Sequence, residues 1–234
     1  MPNYLETVYF REEYGAEEYP QRLCDYLYER FFKSYMDSHP DGKKKFLDIG
    51  SGKGNHLVAF SRHGVEAFGI DKREECVEIL DYFDIRECDI EKDRFPFEDN
   101  SFDFIFSKSV IEHVYNTDNF LDESFRVLKP GGIVVLMTPD WQSQMKFFWD
   151  DYTHVRPFSR KGLQNVLKLK NFQEVECFRF FQLPFVWKYP FLRFVPRIIA
   201  LLPDFLRFRD ADEMRSRVFV RFSKEQMLIA KGVK

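Results

Sequence analysis

Glycines and aspartates at the ends of short apolar runs are the first residues in this chain that could do chemistry. The segment from Asp48 to Gly54 reads Asp-Ile-Gly-Ser-Gly-Lys-Gly and follows an apolar run at 45–49. Glycines let the backbone turn tightly and let a ligand approach it closely, and the helix that follows presents free N–H groups to that ligand. Asp71 ends the next apolar run, where an acidic side chain can accept both hydroxyls of a ribose. Asp89 ends the run after that, at the next position around the same cleft. Together these features predict a nucleotide-binding cleft.

The spacing of the glycines narrows the kinds of nucleotide site. The loop has the pattern G-x-G-x-G, whereas a dinucleotide dehydrogenase usually shows G-x-G-x-x-G, and the chain contains no G-x-x-x-x-G-K-[ST] phosphate loop. These differences argue against a dehydrogenase and against a nucleoside triphosphatase. The structural alternative is a tight strand–helix turn with three unrelated aspartates nearby.

Aromatic, acidic and histidine side chains form a second group, in the segment 138–159. An aromatic floor with a hydrogen-bonding rim suits a sugar or a flat ring as substrate. His154, with Asp151 or Asp150 beside it, has the residue types of an oriented general base. A His154 that caps or packs a turn is the structural alternative. The predicted substrate-binding residues are Trp141, Tyr152 and Arg156.

A second histidine and a metal ion are further hypotheses for this region. His113 follows the fourth predicted strand, so it either faces the cleft as a catalytic residue or packs at the start of a helix. A divalent ion would need hard oxygen ligands, here with one imidazole. The residues that would supply them are Asp140, Asp150, Asp151 and His154. Their spacing matches no recognisable ligand pattern, so we predict no metal in the site.

Alternating strands and helices must position both groups. Between residues 43 and 138 the two kinds of pattern alternate, which predicts a parallel α/β sheet covered on both faces, with right-handed crossovers. The predicted strands are 45–49, 66–70, 85–88, 102–106, 133–137, 174–181 and 227–230. The predicted helices are one from Pro20 to the turn at 39–42, then 55–63, 72–82, 119–128 and 159–169, the last with Ser159 as its cap.

The two ends of the chain are less regular. Apolar residues at helical spacing predict a helical N-terminal extension over 1–42, whose aromatic side chains pack rather than contact a ligand. Near the C-terminus, prolines at 184, 190, 196 and 203 break an insertion at 183–213 into short helical pieces. Its aromatic and basic residues, dense over 183–209, fit a lid over the cleft, a partner or homodimer face, or a peripheral membrane contact. The structural alternative is a helical insertion that packs on the sheet with its basic residues in solvent.

Composition and charge exclude several classes of protein. The 234 residues are 44% hydrophobic and 31% charged, which excludes general disorder. The formal net charge of −3 argues against a nucleic-acid-binding protein. Four cysteines without a C-x-x-C pair predict a reducing compartment, and the start of the chain lacks the apolar core of a secretory signal. We therefore expect a cytoplasmic protein that contacts at most a membrane surface.

In its middle part the chain resembles the class I S-adenosylmethionine-dependent methyltransferases. The motifs that carry the resemblance are FLDIGSGKG, GIDK, ECDIEKDRFPFEDNSFDFIFSKSVIEHV and FRVLKPGGIVVLMTPDW, over residues 43–140. The resemblance implies a Rossmann-like α/β fold, with a seven-stranded, mostly parallel sheet, an antiparallel last strand and helices on both faces. It also implies S-adenosylmethionine as cofactor. The methyltransferase domain would span 43–234, with a cofactor half at 43–138 and an acceptor half at 139–234.

The same resemblance implies roles for residues of the loop and of the strand ends. At the methionine end of the cofactor it places Gly50, Ser51, Gly52 and Gly54, with Asp48 near the ammonium. At the ribose it places Asp71, with Lys72 beside it. At the adenine it places Asp89 and the backbone of Ile90, and under the sulfonium it places Ser107 and Lys108.

A looser resemblance concerns the methyl acceptor. The segments YTHVRPFSRKGL, FRFFQLPFVWKYP and RFSKEQMLIAKG resemble methyltransferases encoded with polysaccharide-assembly genes, which implies O-methylation of a sugar hydroxyl in a glycan or nucleotide sugar. The alternatives are a methyltransferase of a lipid-like or quinone-like small molecule and a non-catalytic cofactor-binding subunit. No nucleic-acid partner is expected, because Ser-Lys-Ser-Val follows the fourth strand in place of an Asn/Asp-Pro-Pro-aromatic tetrapeptide.

Overall fold

A twisted sheet places the ends of its parallel strands at one edge in this computed structural model, which describes residues 18–77, 83–207 and 218–234. The described strands are β1 (Lys45–Ile49), β2 (Glu66–Asp71), β3 (Asp84–Glu87), β4 (Phe102–Lys108), β5 (Leu128–Pro139), β6 (Gln173–Phe180) and β7 (Met227–Val233). These seven form one sheet in the order β3-β2-β1-β4-β5-β7-β6. The first five are mutually parallel, and β7 runs antiparallel to both β5 and β6. The Rossmann-like α/β fold with a reversed last strand is confirmed.

Helices surround the sheet and connect its strands. Those described are α1 (Glu18–Leu27), α2 (Lys33–Ser38), α3 (Asn55–Ser61), α4 (Glu74–Val77), α5 (Thr117–Val127), α6 (Trp141–Gln144), α7 (Arg160–Leu169), α8 (Pro184–Lys188), α9 (Phe194–Ile199) and α10 (Val218–Lys224). A π-helical turn at Tyr28–Phe32 joins α1 to α2, and 3-10 turns lie at Ile111–His113, Phe148–Asp150, Pro190–Arg193 and Asp204–Arg207. Of the predicted helix 72–82, residues 78–82 lie outside the described part of the chain.

Both faces of the sheet are buried, as expected for parallel strands with helical crossovers. Side chains alternate along each strand, so Leu47 and Ile105 enter one apolar layer while Phe46 and Phe104 enter the other. The first layer is completed by α5 and α7, and the second by α1 and α3. This packing on two sides holds the strand ends, and therefore the loops that follow them, in fixed positions.

The predicted N-terminal helix packs directly on the sheet. Leu23, Leu27 and Phe32 are buried in the second apolar layer, and the ring centroids of Phe32 and Phe104 are 4.5 Å apart. The structural interpretation of the aromatic stripe is therefore confirmed. The boundary that we place at residue 42 between an extension and a domain stays a prediction.

The start of β5 differs from the prediction. The sequence Lys-Pro-Gly-Gly indicates a turn before a strand at 133, but the strand begins at Leu128, which pairs with Phe102. The amide of Gly131 donates to the carbonyl of Lys234 at 2.8 Å, so this segment is held by the end of β7. Tertiary pairing thus extends the strand through residues that favour a turn.

The proline-rich segment forms short helical pieces, as predicted, and it exposes much apolar surface. Leu183 and Val186 anchor it in a small buried cluster. Residues 208–213 of the predicted insertion lie outside the described residues. The exposed large apolar side chains are Tyr189, Phe191, Phe194, Ile198, Leu201, Leu202 and Phe205. Across the described residues, every helix is too short or too polar to cross a bilayer.

Candidate active site

The loop between β1 and α3 is tied to the end of β2. The amides of Gly50 and Ser51 both donate to the carbonyl of Ile70, at 2.8 and 3.1 Å. A Cβ atom on Gly50 would lie 2.4 Å from Val110 Cγ2, so the segment after β4 presses closely on the loop. Left-handed φ angles of 76°, 52° and 73° occur at Gly50, Gly52 and Gly54. Glycine adopts this region without steric cost, which explains the G-x-G-x-G pattern.

Asp71 lies buried at the end of β2, where the sequence places it. Its Oδ2 accepts the amide of Gly52 at 2.9 Å. Its Oδ1 accepts the amide and the Nε–H of Arg73, both at 3.1 Å. The carboxylate therefore fixes the loop to β2. A ribose that binds Asp71 must share this carboxylate with the Arg73 side chain or displace it.

Asp89 lies after β3 and joins two lysines. Its Oδ2 is 3.0 Å from Lys72 Nζ and 3.1 Å from Lys92 Nζ. Burial on its own raises the pKa of Asp89, but the two lysines outweigh it and hold the pKa below its usual value. Lys72 thus reaches from the end of β2 to the end of β3. The carbonyl of Ile90 accepts the side-chain amide of Asn119 at 2.9 Å.

Two buried oxygens beside the loop have no hydrogen-bond partner among the residues that the structure describes. They are Asp48 Oδ2 and Ser51 Oγ, and both side chains are buried. The nearby His56 Nδ1 lies 3.7 Å from Asp48 Oδ2, which is too far for a hydrogen bond. Buried polar atoms of this kind normally have a partner, and the ammonium of S-adenosylmethionine is a donor that would suit Asp48. The loop therefore fits the cofactor that the motifs imply.

Ser107 and Lys108 are the last two residues of β4, and both are predicted to lie under the sulfonium of the cofactor. Ser107 is buried, and its Oγ donates to the carbonyl of Ile49 at 2.9 Å, which links β4 to β1. Lys108 is half-buried, and burial lowers its pKa although Glu112 and Asp48 act in the opposite direction. Burial thus disfavours the charged form of Lys108, and the two carboxylates only partly offset this effect. Contact of Ser107 and Lys108 with the cofactor stays a prediction.

Glu112 is a site residue that sequence reasoning missed. It lies in the 3-10 turn after β4 and is 1% exposed. Its Oε2 accepts the hydroxyl of Thr138 at 3.0 Å, and its Oε1 is buried without a partner. Burial raises the pKa of Glu112 to about 7, against the opposing effects of Thr138 and Lys108. A glutamate beside a histidine was visible in the sequence, but nothing there showed that it is buried.

The two predicted catalytic histidines lie next to each other, with ring centroids 4.8 Å apart. His154 Nδ1 is 2.6 Å from the carbonyl oxygen of Phe148. His113 Nδ1 is 3.2 Å from the carbonyl oxygen of Thr153 and 2.9 Å from its hydroxyl. The distance from His154 Nε2 to Asp151 Oδ2 is 3.9 Å, too long for a hydrogen bond. A backbone carbonyl, rather than the predicted aspartate, therefore orients His154.

Asp151 and Thr153 complete this cluster. Thr153 donates its amide and its hydroxyl to Asp151 Oδ1, at 2.9 and 2.6 Å. Burial lowers the pKa of His113, and His154 adds to the effect. Burial therefore favours the neutral imidazole of His113 beside the Asp151 carboxylate, and a neutral imidazole can accept a proton.

The structure groups a different set of potential metal ligands from the one considered on spacing. Asp140 Oδ2 is 2.7 Å from Arg179 Nε and also accepts the amide of Ser143, so this carboxylate holds β6 and α6 in place. Within the described residues, Glu112, His113 and His154 instead offer one ligand atom each, all within 4.8 Å of one another.

The three predicted substrate-binding residues lie in the segment after β5 that also carries His154. Trp141 is half-buried, with its ring at right angles to Phe148 at 5.5 Å. Tyr152 is 75% exposed. Arg156 is exposed, and its guanidinium donates to the carbonyl of Tyr115 at 2.9 Å. The structure thus provides an aromatic and polar rim, and substrate contact by these residues stays a prediction.

Known proteins with similar sequences include S-adenosylmethionine-dependent methyltransferases. A family profile described as a methyltransferase domain matches residues 16–176, more than half of the chain. Phosphoethanolamine N-methyltransferase 2 of Caenorhabditis elegans is 26% identical over 154 residues, covering 61% of this chain and 34% of that protein. A probable S-adenosylmethionine-dependent methyltransferase of Mycolicibacterium smegmatis is 27% identical over 168 residues, covering 70% of this chain and 61% of that protein. The chain spans less than two thirds of the length of these relatives.

Solved structures share the fold. A SAM-dependent methyltransferase from Archaeoglobus fulgidus superposes with a TM-score of 0.60 at 17% identity, covering 92% of this chain and 94% of that one. Phosphoethanolamine N-methyltransferase 2 of Haemonchus contortus in complex with S-adenosyl-L-methionine gives a TM-score of 0.60 at 18% identity, covering 99% of this chain and 59% of that one. The glycine loop, the acidic strand ends and the profile match agree, and the chain belongs to the S-adenosylmethionine-dependent methyltransferase domain family.

Proposed function

We propose that the protein transfers a methyl group from S-adenosylmethionine to a hydroxyl of a polar acceptor, a sugar of a glycan or nucleotide sugar. The observation that carries this proposal is which ring nitrogen of His154 carries the proton. Its Nδ1 lies 2.6 Å from the carbonyl oxygen of Phe148, and a carbonyl can only accept. Nδ1 therefore carries the proton of the neutral ring, and Nε2 has a free lone pair next to Asp151.

A hydroxyl acceptor needs such a group, because it must lose its proton as it attacks the methyl carbon. The cofactor supplies an electrophilic methyl group on a sulfonium. The protein must hold the acceptor oxygen in line at about 3–3.5 Å and take its proton, and a positioned base contributes about 10²–10⁴-fold. In this mechanism His154 Nε2 receives the proton, and the nearby Asp151 carboxylate stabilises the resulting imidazolium.

The rim around the cluster supports a sugar as the acceptor. Trp149 is 53% exposed beside Trp141, with ring centroids 6.1 Å apart. Aromatic faces that remain open next to charged side chains can pack on the apolar face of a sugar ring while the rim binds its hydroxyls. The relatives named as phosphoethanolamine N-methyltransferases indicate an amine acceptor as the contrasting outcome, because an amine needs less help from a base.

The test is transfer of a labelled methyl group from S-adenosylmethionine to separated extracts and to defined acceptors. Label in nucleotide sugars or glycans supports the proposal, whereas label in phosphoethanolamine alone contradicts it. In the supporting case, His154→Ala should reduce turnover by about 10²–10⁴-fold with little change in affinity for S-adenosylhomocysteine. His39→Ala is the matched control, since His39 is an exposed histidine at the end of α2.

A lipid-like acceptor at a membrane surface is the second candidate, and the exposed apolar side chains of 189–205 favour it. Leu201 is 84% and Phe205 is 75% exposed, and the segment carries two basic residues, Arg193 and Arg197. Short amphipathic pieces with these features can bind an anionic interface. Activity that rises with phosphatidylglycerol vesicles and falls in Leu201→Asp, but not in the control Leu169→Asp on α7, would support it. Leu169 is 79% exposed, which makes the comparison fair.

A further inference from the structure

We propose that Glu112, His113 and His154 together bind one divalent transition-metal ion. Each residue offers one ligand atom, and these atoms lie within 4.8 Å of one another. Glu112 and His113 come from the turn after β4, whereas His154 comes from the segment after β5. The amides of Val155 and Arg156 donate to the carbonyl of Glu112 at 2.8 and 3.0 Å, so backbone hydrogen bonds hold the two segments together.

The hydrogen bonds of the histidines fix which ring nitrogen is available. The carbonyl oxygens of Phe148 and Thr153 can only accept, so Nδ1 of His154 and Nδ1 of His113 carry the ring protons. The hydroxyl of Thr153 agrees, because it donates to Asp151 and can therefore accept from His113. Nε2 of each ring is left as a lone pair, which is the form that coordinates a metal.

Glu112 provides a second, independent observation that points to a bound ion. Its Oε2 accepts the hydroxyl of Thr138, but Oε1 is buried and has no hydrogen-bond partner within 18–77, 83–207 and 218–234. Of the three residues that offer ligand atoms, Glu112 is the one with a buried oxygen that lacks a partner among the described residues. Such an oxygen is costly unless a cation or a hydrogen-bond donor meets it, and a metal ion between Glu112 and the two imidazoles would do so.

The surroundings match those of metal-bound histidines. Such histidines usually donate their second ring N–H to a carbonyl or carboxylate, which fixes the ring orientation. Both histidines have a backbone carbonyl partner of this kind here. Two imidazoles and one carboxylate favour a first-row divalent ion over Mg²⁺ or Ca²⁺, which prefer oxygen ligands. Three protein ligands also leave positions open for a substrate oxygen.

The role of the ion rests on the proposed function, since it would act on the acceptor hydroxyl. Coordination lowers the pKa of the hydroxyl, and its proton passes to water through the Asp151 carboxylate. Nε2 of His154 is then a ligand, so direct proton transfer to His154 applies to the metal-free protein only. The oxygen–carbon bond then forms as the sulfur–carbon bond breaks. Both electrons of the broken bond remain on sulfur, which leaves as a neutral thioether.

The first experiment measures binding without any acceptor. Chelator-treated protein is titrated with MnCl₂ and, separately, with ZnCl₂ by calorimetry. We expect one ion per chain, and a loss of affinity of about 100-fold or more in Glu112→Gln and in His154→Ala, beyond the range for outer-shell partners. His39→Ala should bind as the wild type does. Absence of binding in the wild type, or equal affinity in Glu112→Gln, would overturn the proposal.

Glu112→Gln is expected to fold, because the amide oxygen of glutamine can still accept the hydroxyl of Thr138 while a buried charge is removed. Its melting temperature in chelator should equal or exceed that of the wild type. Addition of MnCl₂ should raise the melting temperature of the wild type but not that of Glu112→Gln. The acceptor assay separates the two proposals. If the protein binds the ion but transfers no label to sugars, the proposed sugar acceptor is contradicted and the metal site is not. If chelated protein methylates sugars at the full rate, the proposed role of the metal is contradicted and the sugar acceptor is not.

Discussion

Gly50 offers a quantitative test of how closely the cofactor loop is packed. Gly50→Ala introduces a side chain where φ is +76°, which costs about 1–2 kcal/mol for an L-residue. The new Cβ would lie 2.4 Å from Val110 Cγ2, so either the loop or Val110 must move by about 1 Å to reach ordinary contact. Overpacking of this kind adds about 1–3 kcal/mol. The total loss of unfolding free energy is about 2–5 kcal/mol.

The chain supplies controls for both parts of this estimate. Gly64 has φ +80°, and an added Cβ would meet nothing within 4 Å. Gly64→Ala should therefore lower the free energy of unfolding through backbone strain alone, by about 1–2 kcal/mol. Val110→Ala removes the clashing methyl, so the double variant with Gly50→Ala should recover about 1–3 kcal/mol relative to additivity. Urea unfolding at pH 7 measures all four variants.

Cofactor binding gives the functional readout of the same substitution. A loop displaced by about 1 Å should weaken S-adenosylhomocysteine binding by about tenfold or more, whereas Gly64→Ala should leave its Kd unchanged. Calorimetry decides between the two outcomes. If Gly64→Ala loses as much stability as Gly50→Ala, or if Val110→Ala restores nothing, then close contact between the loop and the segment after β4 is not what requires glycine here.

Three further outcomes follow from the contacts. Asp71→Asn should weaken S-adenosylhomocysteine binding about tenfold or more, whereas Arg73→Ala should change its Kd less, because Arg73 competes with a ribose for the carboxylate; equal effects in calorimetry would contradict this. Burial alone would raise the pKa of Asp103, but its hydrogen-bond donors hold it below the usual value. Its stabilisation is thus present above pH 4 and lost as pH falls through the folded pKa. Asp103→Asn should lose about 1–3 kcal/mol at pH 7 and progressively less below pH 4 in urea unfolding. Ser159 caps α7 by accepting the amide of Gly162, and Ser159→Ala should lower stability by about 1 kcal/mol.

The parallel half of the fold could be predicted because local signals and tertiary structure agree there. The apolar run of β1, the glycine loop and the cap at Ser159 each form what their residues favour. The start of β5 could not be predicted, since Lys-Pro-Gly-Gly favours a turn and a distant partner, the end of β7, decides its structure. Long-range pairing of this kind is invisible in a window of a few residues.

The candidate site divides in the same way. Asp71 lies where a strand end places it, because the position follows from the order of strands alone. Glu112 was missed because its burial depends on Thr138, a residue on the neighbouring strand. His154 was predicted to be oriented by an aspartate, but Asp151 Oδ2 is 3.9 Å away and the group that orients the ring is a main-chain carbonyl. A backbone partner carries no sequence signature.

Glu112 and the histidines also explain why spacing in the sequence did not indicate the ligand set proposed above. Ligand spacing in a sequence is informative when the ligands share one helix or one loop, as in a histidine pair one turn apart. Here the ligand atoms come from two segments that meet because the amides of Val155 and Arg156 bind the carbonyl of Glu112. That contact needs no particular side chain at any of the three positions. The cluster is therefore a property of the sheet edge, where the loops after β4 and β5 are brought side by side, and its three acceptor atoms become visible as a site once burial and hydrogen bonding are considered together.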